Sequence, residues 1–452
     1  MKIVVVGCGK IGTTVVSSLA SEGHDVVAVD INPAVIDEIS DIYDIICICG
    51  NGADYDTLQE AGISKADIFV AITGSDELNM LSCVIAKKMG AKYTVARIRN
   101  PEYNDKNLPF VKQYLDLSLY INPELLVANE LFNILKLPSA VNIETFSRRN
   151  FQLVEVLIKE NSALAGMSLI DLRKKHKSNF LIGLVMRNDE VYVPDGNFVI
   201  EQGDRVGIIA TPHEIHKFFK TVGVMKKQAK NVMILGAGTI AFYLAKMLLN
   251  AGSAVTIIEK DKERCELAAQ RLPGAVIING DGASQEVLLE EGLLTSDALV
   301  TLTGLDEENI LVSFFAMSQN VPKVIAKINR NELITMAERM GIDSIISPKR
   351  IVSDVVTRYA RALQNSVGSN VETLYKFMEG RIEALEFNVS SDFKAQQIPL
   401  KDMQLKPNVL IGGIIRKRKA FIPTGDDFIQ AGDRVVVIAE GQKMNDLSDI
   451  LR

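Results

Sequence analysis

Residues 1–30 read MKIVVVGCGKIGTTVVSSLASEGHDVVAVD. Ile3 to Val6 is an apolar run of strand length. Gly7-Cys8-Gly9-Lys10-Ile11-Gly12 is a G-x-G-x-x-G loop, and Thr13 to Ser21 follows with helical spacing. Val26 to Val29 is a second strand run, closed by Asp30. Strand, tight turn, helix, strand and acid in this order make the dinucleotide-binding fingerprint in the context it requires. Gly7 permits the tight turn, Gly9 lets backbone approach a pyrophosphate, and Gly12 lets helix pack on strand. The helix start then offers free N–H groups and a positive dipole end to phosphates. Asp30 follows Gly7 by 23 residues, close to the spacing at which a carboxylate meets ribose hydroxyls. The bland alternative is a Rossmann-type domain with an empty cleft.

The same motif returns. Val232 to Glu259 reads VMILGAGTIAFYLAKMLLNAGSAVTIIE, setting Gly236, Gly238 and Ala241 against Gly7, Gly9 and Gly12, and Glu259 against Asp30. The offset is 229 residues at both ends. Gly50-Asn51-Gly52-Ala53 matches Gly280-Asp281-Gly282-Ala283, AITGSDELN (71–79) matches TLTGLDEEN (301–309), and Arg97 matches Lys327. Pro123 matches Pro348 with the offset slipped to 225. Leu181-Ile182-Gly183, Pro194 and Gly203-Asp204-Arg205 recur at Leu410-Ile411-Gly412, Pro423 and Gly432-Asp433-Arg434. The chain is one unit used twice.

Its composition is that of a globular protein: 452 residues, 47% hydrophobic and 23% charged, enough for roughly two to four domains. A net charge of −6 argues against a nucleic-acid partner. No cleavable leader precedes the first strand, and no apolar run nears the ~18 residues that span a bilayer, so a soluble cytoplasmic protein is expected. Cys8, Cys47, Cys49, Cys83 and Cys265 read mostly as small buried hydrophobes in a reducing compartment. Cys47-x-Cys49 lacks the partners of a metal site.

Within the first unit, strands are expected at Lys2–Val6, Asp25–Val29, Ile45–Cys49, Ile68–Ile72, Tyr93–Arg97 and Leu117–Ile121. Alternation with amphipathic stretches predicts an α/β, Rossmann-like, doubly wound parallel sheet. Asn122 caps a helix with Pro123 at its first position, and Pro138 ends it. Its counterpart starts at Ser347-Pro348. Both carry apolar residues on more than one face, which predicts packing against the other half or another subunit. Each unit ends in a small α+β module: strand Phe151–Lys159, basic helix Ser168–Lys177, hairpin Phe180–Arg187 and Glu190–Val193 about Asn188-Asp189, strand Arg205–Ala210 and helix Pro212–Phe219 in the first copy. The domains are placed at 1–140, 141–225, 229–366 and 370–452, with linkers near Ser139–Arg149, Gly223–Lys230 and Gln364–Asn370.

This doubled order resembles the TrkA family, peripheral cytoplasmic subunits of bacterial and archaeal Trk potassium uptake systems. The unit is similar to an RCK (KTN) domain followed by a TrkA-C domain, over essentially the full length. The glycine fingerprint is not specific to that family. The doubling together with T-G-x-D-E-x-N, at Thr73–Asn79 and Thr303–Asn309, is. The resemblance implies a regulator rather than an enzyme: a homotetrameric ring at the inner face of the cell membrane, beneath a membrane potassium-translocating Trk subunit that it gates. It implies clefts that bind NAD (NAD+ or NADH), or ATP and ADP. By motif match, Gly7, Cys8, Gly9, Lys10, Ile11 and Gly12 surround the phosphates, Asp30 the ribose, Asn51 and Gly52 the adenine, and Thr73, Gly74 and Ser75 the far side, with Arg97 reaching a phosphate. Gly236, Ala237, Gly238, Thr239, Ile240, Ala241, Glu259, Asp281, Gly282, Thr303, Gly304 and Lys327 repeat the set.

Read by their own chemistry, these residues keep alternatives. Asp30 and Glu259 favour a 2′-hydroxyl over a 2′-phosphate, or are solvated strand-end acids; Lys260 softens the discrimination in the second copy. Arg97 suits a phosphate or a helix acid, and Lys10 a phosphate or solvent. Asp76 and Glu77, repeated as Asp306 and Glu307, are better read as first-turn acids favouring a helix dipole than as a cation site. His213 and His216 read as solvated, and Arg416-Lys417-Arg418-Lys419 as a basic turn or a contact for an acidic partner or membrane surface. An NAD-dependent oxidoreductase shares the fingerprint but needs a proton-transfer group, and none of His24, His176, His213 and His216 falls at a strand end. A cytosolic sensor without a membrane partner is the third reading.

Overall fold

The computed structural model describes residues 1–452 apart from 101–102, 104–107, 147–150, 161, 177–178, 189, 224–227, 343, 367–370, 378–381, 418, 442–443 and 445. The expected turn residue Asp189, the basic-turn residue Arg418 and parts of the three expected linkers lie outside the described residues.

The first sheet is built from β1 (Lys2–Val6), β2 (Asp25–Asp30), β3 (Ile46–Cys49), β4 (Ile68–Ala71), β5 (Tyr93–Arg97) and β6 (Leu119–Ile121). Its order is β3-β2-β1-β4-β5-β6, every pair parallel. Continuous apolar runs form these strands because helices cover both faces; Ile3, Val4 and Val5 are fully buried. The helices are α1 (Lys10–Ser21), α2 (Pro33–Ile42), α3 (Tyr55–Glu60), α4 (Asp76–Met89), α5 (Leu108–Tyr114) and α6 (Pro123–Lys136). The chain then enters an antiparallel sheet of β7 (Asn142–Phe146), β8 (Phe151–Leu157), β9 (Phe180–Arg187), β10 (Glu190–Tyr192) and β11 (Arg205–Ala210), with α7 (Leu169–Lys175) and α8 (Pro212–Thr221).

The second half repeats this. β12 (Asn231–Leu235), β13 (Ala254–Glu259), β14 (Val276–Asn279), β15 (Ala298–Thr301), β16 (Lys323–Lys327) and β17 (Ser344–Ile346) form a parallel sheet in the matching order. Its helices are α9 (Thr239–Asn250), α10 (Lys262–Arg271), α11 (Gln285–Glu290), α12 (Asp306–Ser318), α13 (Asn331–Arg339) and α14 (Pro348–Ser366). β18 (Val371–Phe377), β19 (Ile382–Asn388), β20 (Val409–Arg416), β21 (Lys419–Phe421) and β22 (Arg434–Glu440) make the last antiparallel sheet.

The linkers are corrected at two places. Residues 142–146, expected in a linker, form β7 and pair antiparallel with β8, and residues 364–366 continue α14.

The expected packing of the long helices across halves is present. Val127, Ala128, Leu131 and Ile134 of α6 are buried with Tyr243, Leu244 and Leu248 of α9. Reciprocally, Val352, Val356 and Ala360 of α14 are buried with Val15, Val16 and Leu19 of α1. Ser353 Oγ lies 2.7 Å from Ser18 Oγ across this seam. The two antiparallel sheets also meet face to face, Phe151, Leu184 and Ile209 against Ala384, Val436 and Ile438. Gly183 and Gly412 permit the approach: a Cβ at Gly183 would stand 2.4 Å from Ile438 Cδ1, and one at Gly412 2.9 Å from Ile209 Cδ1.

Candidate functional site

In each parallel sheet the strand order reverses between the first and fourth strands, so the loops after them part and leave a crevice. In the first half that crevice is a cavity of about 650 Å³. Gly7, Gly9, Lys10, Ile11, Gly12, Asp30, Asn51, Gly52, Thr73, Gly74, Ser75 and Arg97 all line it. Cys8 alone of the expected set does not. It lies under the loop, 1% exposed, and burial, then the Asp30 charge, push its thiol up to about 12.

The glycines divide by role. Gly7 has φ +89°, and a Cβ there would stand 2.7 Å from Thr73 N. A Cβ at Gly12 would stand 2.0 Å from the Gly7 carbonyl oxygen. Both therefore serve the chain's own geometry. At Gly9 a Cβ meets nothing within 4 Å; that face opens onto the cavity, where a phosphate needs the backbone bare.

Asp30 is neither idle nor merely solvated. Its Oδ2 accepts from Cys8 N–H at 2.6 Å and its Oδ1 from Asn32 N–H at 2.9 Å. Glu259 repeats this with Ala237 (2.8 Å) and Asp261 (2.9 Å). Each acid braces its glycine loop, and carboxylate oxygens retain lone pairs for a ribose hydroxyl.

The T-G-x-D-E-x-N motif is held by a residue the sequence did not single out. Asn79 is fully buried. Its Oδ1 accepts from Thr73 N–H and Oγ1–H, both at 2.7 Å, and its Nδ2 donates to the Arg97 carbonyl at 3.0 Å. Asn309 does the same for Thr303 and Lys327. Asp76 accepts from the backbone N–H of Arg99 and Asn100, each at 2.7 Å, and Asp306 from those of Asn329 and Arg330. These acids hold the loops after β5 and β16. Among the described residues no cluster could hold a metal ion.

Arg97 forms no ion pair among the described residues. It donates to the Thr73 carbonyl, while its buried Nε has no partner. Burial, then the neighbouring Arg99, lower its pKa. An underpaired guanidinium on a cavity wall, beside an open glycine and a helix N-terminus, fits the phosphates of a nucleotide.

The second crevice keeps the framework and changes its lining. Gly236 has φ +93°, and a Cβ at Gly238 or Gly304 meets nothing within 4 Å. Thr239 and Ile240 open α9, and Ala241 is buried where Gly12 stood. Asp281, beside Gly282, is paired with Lys260 at 2.8 Å. Lys327 Nζ donates to the Leu302 carbonyl at 3.2 Å, and burial lowers its pKa. Glu308 takes the place of Leu78, its pKa raised by burial and then by Asp281.

The first cavity also holds residues that sequence reasoning missed. Ile31, 73% exposed, offers an apolar face beside Asp30, and Asn329, Pro348 and Lys349 reach in from the second half.

Two doubly wound nucleotide-type domains, each carrying an antiparallel module, define a tandem dinucleotide-fold protein. Residues 3–108 and 232–348 match the TrkA-N domain, and residues 153–223 and 385–452 match the TrkA-C domain; the chain belongs to the TrkA family. It is 33% identical over 455 residues to the Trk system potassium uptake protein TrkA homolog of Archaeoglobus fulgidus, covering 100% of both chains. It is 28% identical to the Trk system potassium uptake protein TrkA of Haemophilus influenzae, over 98% of this chain and 96% of that one. The crystal structure of the GsuK RCK domain shares the fold, with a TM-score of 0.63 over 97% of this chain and 92% of that one at 15% identity. Among the described residues no helix is long and apolar enough to cross a membrane.

Proposed function

We propose that the chain is the nucleotide-binding regulatory subunit of a Trk-type potassium uptake system, a cytoplasmic, peripheral, non-enzymatic homotetramer that gates a membrane potassium-translocating partner. The observation that carries the reading is the first cavity, which gathers the fingerprint glycines, Asp30 and an underpaired Arg97. Kinship along the full length to proteins named for potassium uptake supports the transport role. The fold shared with a GsuK channel solved bound to NAD supports the ligand class. On this reading the chain divides into nucleotide-binding domains 1–140 and 229–366 and TrkA-C modules 141–225 and 370–452. Gly9, Lys10 and Arg97 hold phosphates, Asp30 orients the ribose and Ile31, Asn51 and Gly52 receive the adenine. None of the four histidines lines the cavity, so no imidazole is placed for hydride-transfer chemistry. A nucleotide moves such a protein only by binding its conformers unequally.

The test is potassium uptake at low external potassium in cells lacking the chain, complemented with the native or the Gly9→Ala chain. Native complementation restores uptake. Gly9→Ala folds normally, binds NAD and ADP at least about tenfold more weakly because its methyl occupies the phosphate approach, and alters uptake. Absence of any uptake defect in the deleted cells overturns the transport role.

A further inference from the structure

The first cavity is lined in part by the other half, through Asn329, Pro348 and Lys349. Lys10, Arg97 and Lys349 all line it, and among the described residues none of the three forms an ion pair. The one carboxylate on the lining, Asp30, already accepts two backbone N–H bonds. The cavity is thus a site with surplus positive charge.

Lys349 stands in the first turn of α14, a 19-residue helix. Ser347 occupies the cap position, 6% exposed, and its Oγ has no partner, so no side-chain cap is supplied to the first-turn N–H groups. The paired helix α6 is finished differently. Asn122 Oδ1 accepts from Leu125 N–H at 2.9 Å, and Glu124 occupies the place of Lys349. One long helix begins capped and acidic. The other begins uncapped and cationic, with Pro348 and Lys349 on the wall of a cavity that already holds the N-terminus of α1. Two positive helix ends and three unpaired cations around one space describe an anion site shared between the halves.

We propose that Lys349 is a phosphate-binding residue of the first cleft, so that a phosphorylated nucleotide there is held by both halves of the chain at once. This rests on the nucleotide-binding reading above and names a ligand-binding residue that the fingerprint does not contain.

The experiment is calorimetric titration of the full-length chain with ADP, using the native protein and Lys349→Gln, Lys349→Arg and Arg350→Gln. Arg350 is the next cation along α14 and does not line the cavity. Lys349→Gln is expected to weaken ADP binding about tenfold, the scale of one charge-assisted contact. Lys349→Arg restores most of the affinity, and Arg350→Gln leaves it unchanged. Native affinity in Lys349→Gln, or an equal loss in Arg350→Gln, overturns the assignment while leaving the nucleotide reading intact. A native chain that binds no ADP overturns both.

Discussion

Glu155 and Asn79 are both buried polar side chains, and the interior treats them oppositely. Asn79 is neutral, and its amide is spent on backbone and hydroxyl partners, which is the condition under which burial of a polar group is tolerated. Glu155 is a carboxyl, 4% exposed. Its Oε1 has no hydrogen-bond partner and lies 3.9 Å from Arg205 Nη1. Burial raises its pKa, Arg205 opposes the rise, and Glu338 adds to it. Because the folded state keeps its proton longer than the unfolded state, the native chain loses stability from this group as pH climbs above about 4.3, the unfolded glutamate value. Glu155→Gln removes that loss. Urea denaturation across a pH series is expected to show a shallower decline in the variant than in the native chain, and parallel curves exclude the effect. Neither role was visible in the sequence. Asn79 stood inside a motif read for its threonine and glycine, and Glu155 stood inside a stretch, Phe151–Lys159, read only as a strand.

At the scale of elements, α6 and α14 are the parts whose ends were readable and whose partners were not. Asn122-Pro123 fixes where α6 starts through a cap and a preset φ. Its two-sided apolar pattern announced a second contact, yet nothing in the pattern says that the contact is α9. Leu131 is fully buried in that junction. Leu131→Ala is expected to destabilise the chain by about 2–5 kcal/mol, measured as a lower denaturation midpoint. The loss should register equally by probes placed in either half. Elements that escaped the sequence reading share a cause. β7 and β18 are sheet edges, paired on one side only, and α5 and α13 are short, 7 and 9 residues. Such short segments offer too few residues to impress a clear period on the sequence. The cleft was legible where spacing within one βαβ unit fixes it. Lys349 was not, because its contact with that cleft depends on how two distant helices cross.

At the scale of the molecule, the halves are tied by charge as well as by apolar packing. Arg361 of α14 donates to Glu22, at the end of α1, and to Glu383 on β19, the latter at 2.9 and 3.0 Å. Its side chain is 11% exposed and the two acids 6% and 12%. Removing the shared cation takes the Arg361 partner from two nearly buried carboxylates at once, so Arg361→Ala is expected to cost about 3–5 kcal/mol. Restoring part of that loss by Glu22→Gln in the same chain would show that the acids' lost ion pairing with Arg361, not the lost side-chain volume, is responsible. The exchanged helices have one more consequence. A half made alone would need a second copy of itself to receive its helix, and every contact along that seam would then occur twice with the same two residues. Joining both copies in one gene lifts the obligation. A carboxylate can persist at position 124 while an ammonium arises at position 349, so a covalently joined pair can own two unequal clefts where a symmetric dimer must own two alike.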